Sequence, residues 1–205
     1  LSKSSETTLE QIYHELASEH EQEAIEKIVE FGRQLVSQGH LELLSLIESV
    51  NVERLKPSLM APMMQLQGDI LLMLGRFEQA SSIFETATAA AKEAKLPVVY
   101  SEILGSQADI AMKQGQTDKA LAAHKEALEV QVELGDAKGA ARSYNNMGYL
   151  YRRKNDRAKA LEAYSEVEAI ISGDESLLGA QIILGRALLD LGEVERARKH
   201  AFEAF

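Results

Sequence analysis

Four short turns, Leu74-Gly75-Arg76-Phe77, Gln114-Gly115-Gln116-Thr117, Lys154-Asn155-Asp156-Arg157 and Leu191-Gly192-Glu193-Val194, recur at intervals of 40, 40 and 37 residues. Five residues after each turn glycine, or after Asn155, stands an alanine: Ala80, Ala120, Ala160 or Ala197. Seven residues before it stands Gly68, Ala108, Gly148 or Gly185. Small residues at fixed offsets on both sides of a turn mean two helices packed closely, so the chain is an internal helical repeat and must fold as stacked helix pairs. Such a stack holds partners along a surface, which bounds function more tightly than any single residue does.

Within one unit the periodicity is explicit. Tyr144, Met147, Gly148 and Tyr151 make the i, i+3, i+4, i+7 stripe of a buried helical face, and Ala160, Tyr164, Val167 and Ile171 make the stripe of the second helix. Asn155 tolerates the left-handed conformation that the other turns give to glycine, and Asp156 is placed to cap the second helix. The same offsets recover Met64, Gln67, Gly68 and Leu71, then Leu104, Gln107, Ala108 and Ala111, and finally Gln181, Leu184, Gly185 and Leu188. Counting back, Gly39 heads a divergent unit that contains Ile28, Phe31, Gly32 and Leu35. The expected organisation is a helical lead-in over 1–24, followed by a repeat array over 25–205 with units near 25–56, 57–96, 97–136, 137–174 and 175–205. Thr8-Leu9-Glu10-Gln11 and Ser18-Glu19-His20-Glu21 both satisfy the capping-box pattern, which predicts a short extra helix from Leu9 to Ala17. The array is expected to be a piece of a longer protein at both ends, because Leu1 is not a start methionine and the last helix reaches Phe205 without a cap.

Composition fits an all-α chain: Trp is absent, Pro numbers three, and Phe and Tyr supply an aromatic fraction of only 5%. Thirty-two acidic residues against 22 basic ones give a formal charge of −10, which repels a phosphate backbone, so nucleic acid is not the expected partner. Without cysteine there is no disulfide, thiolate zinc site or Cys nucleophile. No apolar run approaches the ~20 residues of a membrane helix, and Leu1-Ser2-Lys3-Ser4-Ser5 is not a secretory signal, so a cytoplasmic location is expected and no membrane contact. His14, His20, His40, His124 and His200 are scattered, and no HExxH, phosphate loop, nucleophile elbow or EF-hand spacing occurs. The chain is therefore not expected to be an enzyme or to carry a metal or cofactor. His124 falls at an aromatic core position, where a packed side chain is expected.

The stretches from Gln67 through Gly75 to Ala80 and from Asn146 to Tyr151 resemble tetratricopeptide repeats, over roughly residues 25 to 205. The resemblance implies an α-solenoid of about five antiparallel helix pairs wound as a right-handed superhelix. The 40-residue spacing and the lack of a closing Pro are similar to the longer repeats of kinesin light chains and related adaptors. In such arrays the residues three, six, ten and thirteen before each turn line the concave groove. Here that stripe includes Gln65 and Asp69, then Glu102 and Asp109, then Arg142, Asn145, Tyr149 and Arg152, and finally Arg186 beside Ile182 and Leu189. The groove is expected to be acidic early and basic late. Arg142, Asn145, Tyr149, Arg152 and Arg186 suit a peptide with acidic side chains: forked donors, an amide and an aromatic face. The chaperone-adaptor carboxylate clamp is disfavoured, since its Lys and Asn positions hold Gln65, Asp69 and Ser106.

Ile12 to Ala17, Glu23 to Lys27 and Leu41 to Leu44 also resemble the entry to the repeat arm of large signal-transduction ATPases and maltose-regulator-type activators. That likeness implies a ligand- or partner-sensing arm controlling a switch elsewhere. A third expectation is a self-assembling scaffold, with the uncapped last helix pairing between copies.

Overall fold

The computed structural model describes residues 3–18, 21–171 and 178–203. Among them are eleven α-helices, one short 3₁₀ turn and no strand. In chain order they are α1 (Lys3–Leu16), α2 (Glu21–Ser37), α3 (Leu43–Ser49), the turn Val52–Arg54, α4 (Pro57–Met73), α5 (Phe77–Glu93) and α6 (Pro97–Lys113). Then follow α7 (Thr117–Leu134), α8 (Ala137–Arg153), α9 (Arg157–Ile171), α10 (Leu178–Asp190) and α11 (Val194–Glu203). The fold is all-α and of the tetratricopeptide-solenoid type. It divides within α6 into two compact units, Leu1–Ile103 and Leu104–Phe205.

The turns do what their residues demand. Gly39, Gly75, Gly115 and Gly192 have φ between 73° and 93°, and Asn155 has φ 58°. At each of the last four the chain crosses back on the helix it leaves: Arg76 N–H donates to the Leu71 carbonyl (2.9 Å), Gln116 to Ala111 (2.8 Å), Asp156 to Tyr151 (3.0 Å) and Glu193 to Leu188 (2.9 Å). This six-to-one bond of the Schellman motif satisfies carbonyls that the helix end leaves open. Two connections between pairs reuse it, with Leu96 N–H on Ala91 O behind Lys95 (φ 53°) and Asp136 N–H on Gln131 O behind Gly135. Asp136 then caps α8 by accepting from Gly139 N–H at 2.9 Å, and Asp156 accepts from Lys159 N–H at 3.2 Å as expected.

In the first unit α1 packs on α2, α2 on α4, and α4 on α5. Gly68 is small because the Phe84 ring lies across it: a Cβ there would stand 2.4 Å from the ring. Two expectations need correction here. The N-terminal helix starts at Lys3, so Thr8 lies inside it and cannot act as an N-cap, whose backbone must be non-helical. Helix α2 begins at Glu21, upstream of the boundary expected at 24, and its follower α3 has only seven residues. The second capping-box pattern falls partly on residues 19 and 20, outside the described residues.

In the second unit two apolar clusters are each shared between neighbouring helix pairs. One joins Ala108, Ala111, Ala120 and Leu121 to Met147, Leu150 and Ala163. The other joins Ala160, Tyr164, Val167 and Ile171 to Leu184, Leu188 and Leu191. Gly148 repeats the logic of Gly68, with the Tyr164 ring 2.5 Å from where a Cβ would stand. The boundary expected between 174 and 175 lies outside the described residues. Ala197, the small residue after the last turn, is buried.

Candidate partner-binding faces

Each unit carries part of the predicted stripe, and the two parts differ in how far their charges are already used. In the first unit, Arg33 on α2 forks onto Glu102 at the start of α6, donating from Nη1 to Oε1 at 2.9 Å and from Nη2 to Oε2. Its Nη2 also reaches Gln65 Oε1 at 2.9 Å, and Gln65 Nε2 donates to Glu102 Oε2 at 3.1 Å. The three side chains close a ring of hydrogen bonds. The hydrogen bond to Glu102 raises the Arg33 pKa, with the Glu102 charge and Asp69 acting the same way against burial. Gln65 is not the exposed groove residue expected from its register: it is 3% accessible and fully engaged. Asp69 and Glu102 are half-buried. Arg33 was missed, although counting six residues back from Gly39 places it on the same stripe as Asp69.

In the second unit, α8 aligns Arg142, Asn145, Tyr149 and Arg152 within one stripe, since their spacings of three, four and three keep to one side of a helix. The Arg152 guanidinium lies 5.6 Å from the Tyr149 ring centroid and pairs with Asp190 on α10. Arg153 reaches the same ring at 6.0 Å. Asp109 on α6 is partly buried near Arg142: burial raises its pKa, while Arg142 and Lys113 oppose the rise. Gly105, another stripe position, faces Arg142: a Cβ there would make an ordinary contact with its Nη2 at 3.9 Å. Among the described residues Arg142 and Arg186 are exposed and make no ion pair within 4 Å, and Asn145 is half-buried. Ile182 and Leu189, the stripe neighbours of Arg186, are 58% and 56% accessible. The stripe therefore holds two uncommitted guanidiniums, an amide, a stacked tyrosine and two aliphatic side chains.

Several other charges tie successive pairs together. Lys154 bonds Asp118 at 2.6 Å and Arg157 bonds Glu193 at 2.7 Å, each joining one turn to the next. Between α9 and α11, Glu168 accepts from Arg196 and lies 2.9 Å from His200 Nε2. Burial would raise the Glu168 carboxyl, but these two partners outweigh it and hold it below the ordinary value. His124 is buried as expected, yet neither ring nitrogen has a hydrogen-bond partner. Burial, reinforced by Arg142, pushes its pKa down to about 4. Among the described residues no group of three or more His, Asp or Glu could hold a metal ion, and no helix is long and apolar enough to cross a membrane.

Residues 100–172 match the family model for the tetratricopeptide repeat. No curated protein matches the sequence. Among solved structures, BtubC from P. vanneervenii is similar over 98% of this chain and 87% of its own, with 20% identity and a TM-score of 0.69. A signal-transduction ATPase with a tetratricopeptide repeat sensor, from Pyrococcus horikoshii, is similar over 90% of this chain at 14% identity and a TM-score of 0.75; the chain spans 29% of that protein. A Rap protein complexed with competence and sporulation factor is similar over 88% of this chain and 53% of its own, at 14% identity and a TM-score of 0.62. The repeat model falls on the most regular units, and the same turn, small residue and ring recur before them, so residues 100–172 carry tetratricopeptide repeats and the chain as a whole has the fold of such repeats.

Proposed function

We propose that the chain is a protein-interaction module whose stripe on α8 and α10 binds an acidic, aliphatic-bearing segment of a partner protein. The observation that carries this reading is the contrast between committed and uncommitted arginines. Arg33 is spent on Glu102 and Arg152 on Asp190, whereas among the described residues Arg142 and Arg186 make no ion pair within 4 Å, on a face that also presents Tyr149, Ile182 and Leu189. Carboxylates of a bound segment would supply charge-assisted hydrogen bonds to those guanidiniums, and the aliphatic pair would anchor its apolar side chains. The fold supports this at the coarser level, being one of protein-interaction and scaffold repeats. The test is binding of a short fluorescein-labelled peptide of alternating Glu and Leu to Arg142→Ala and Arg186→Ala. Each should weaken binding by ~1–3 kcal/mol, and unchanged affinity in both removes the assignment.

The likeness to the repeat sensor of a signal-transduction ATPase supports a second reading, that this module senses a partner on behalf of a switch elsewhere in a longer chain. A nucleotide-binding domain in the same gene product, with nucleotide turnover responding to the groove ligand, is its expected signature. A third reading is self-association through the last helix. Sedimentation at several concentrations tests it directly.

A further inference from the structure

The side chain of Tyr164 on α9 is 1% accessible and packs in one cluster with Leu184 and Leu188 of α10. Its ring crosses α8 at Gly148, with Cε1 and Cζ 2.5 and 2.7 Å from where a Cβ would stand, so the para end reaches past the one bare position of that turn. Tyr149 follows Gly148 directly and Arg152 stands one helical turn later, both on the stripe. These are also the groups that act on the hydroxyl. Burial raises its pKa, Arg152 opposes the rise, and Asp190 and Tyr149 add to it. The hydroxyl is therefore directed to the stripe, between α8 and the end of α10, and it keeps its proton at neutral pH.

The repeat shows that packing does not need this hydroxyl. Phe84 fills the equivalent slot across Gly68, fully buried, with a ring alone. A tyrosine hydroxyl in a core finds a hydrogen-bond partner as a rule, yet among the described residues that of Tyr164 makes none. Nor is it sealed: the enclosed side-chain atoms without a partner belong to Glu15, Gln38, His40 and His124. It thus opens onto the stripe as an unused donor. An unused acceptor belongs to the same patch. Asp190 gives Oδ2 to Arg152, whose guanidinium is stacked 5.6 Å from the Tyr149 ring centroid, while its side chain stays 49% accessible. Its Oδ1 has no hydrogen bond among the described residues. Arg152 and Tyr149 therefore hold that carboxylate in place and leave one oxygen open.

We propose that Tyr164 and Asp190 form a main-chain clamp in the groove: the Tyr164 hydroxyl donates to a backbone carbonyl of the bound segment, and Asp190 Oδ1 accepts the N–H of the same residue. In an extended segment the N–H and C=O of one residue point the same way, so a donor and an acceptor on one surface can take both. The clamp rests on the reading of the stripe as the place where a partner segment lies, and adds what fixes its register. Arg142 and Arg186 read carboxylates, whereas the clamp reads the backbone and repels a carboxylate placed next to Asp190.

The experiment is fluorescence anisotropy with the labelled Glu-Leu peptide, comparing the wild type with Tyr164→Phe, Asp190→Asn and Arg142→Ala/Arg186→Ala, together with a urea melt of each. Tyr164→Phe should bind about fivefold more weakly while its urea midpoint stays that of the wild type, since Phe84 shows that the slot accepts the bare ring. Asp190→Asn should weaken binding as well: its amide oxygen turns to Arg152, and a donor then meets the N–H of the segment. Wild-type affinity in Tyr164→Phe overturns the clamp. So does a joint fall of affinity and urea midpoint, which would make the hydroxyl a structural group. Weakening by the arginine double variant without weakening by Tyr164→Phe removes the clamp and leaves the arginine reading standing. The reverse pattern removes the arginine reading and leaves the clamp. A peptide that the wild type does not bind at all overturns both.

Discussion

Phe84 and Tyr164 occupy equivalent slots, each with its ring across a glycine of the preceding helix, and His124 occupies the slot between them in sequence. An imidazole with two unpartnered nitrogens is a poorer filler than either ring. Its folded-state pKa of about 4 lies below the ordinary value of 6.5, so the unfolded chain binds the proton first as pH falls. The contribution is fully present above pH ~6.5, is lost as pH drops toward ~4, and amounts to about 3 kcal/mol across that window. Urea melts at a series of pH values should show this loss in the wild type, and His124→Phe should flatten it and raise stability at every pH. A wild-type profile indifferent to that window would mean the imidazole finds a proton partner in solution. A second residue-scale expectation concerns Lys95, whose φ of 53° costs a side chain ~1–2 kcal/mol. Lys95→Gly should relieve that cost and raise the melting midpoint slightly, after glycine's entropic penalty of ~0.5–1 kcal/mol is set against it.

At the scale of the helix pair, the turn glycines and Asn155 were legible in the sequence because a left-handed φ admits few residue types. The small residues at Gly68 and Gly148 were legible too, for a ring lies within 3 Å of their missing Cβ atoms. Gly148→Leu should cost roughly 3 kcal/mol or more by displacing Tyr164, measured by chemical denaturation; a cost near zero would show that the ring can leave its slot freely. The start of α1 and the shortness of α3 were not legible, since neither is marked by a turn of the repeating kind. For Gln65, register gives azimuth on α4 and not depth, and Arg33 and Glu102 cover that position. The pairing of Arg152 with Asp190 was hidden for a related reason: it depends on which rotamers meet across two helices. Arg152→Ala should therefore disturb the join between α8 and α10 more than it weakens an acidic ligand, and a larger loss of thermal stability than that of Arg142→Ala would register the difference.

Across the molecule, a net charge of −10 says little about any one face. Most paired charges hold successive helix pairs together, while among the described residues exposed charges without an ion pair occur in both units, Glu78 and Glu85 on α5 and Arg142 and Arg186 on the stripe included. Register alone points to the stripe. The central claim is that the uncommitted arginines form the groove site for an acidic segment. The most direct measurement is amide chemical-shift mapping of the labelled protein with the Glu-Leu peptide. Shifts concentrated at Arg142, Asn145, Tyr149 and Arg186, saturating with one midpoint, are the predicted result; shifts that leave those four residues unmoved while the peptide binds would contradict it.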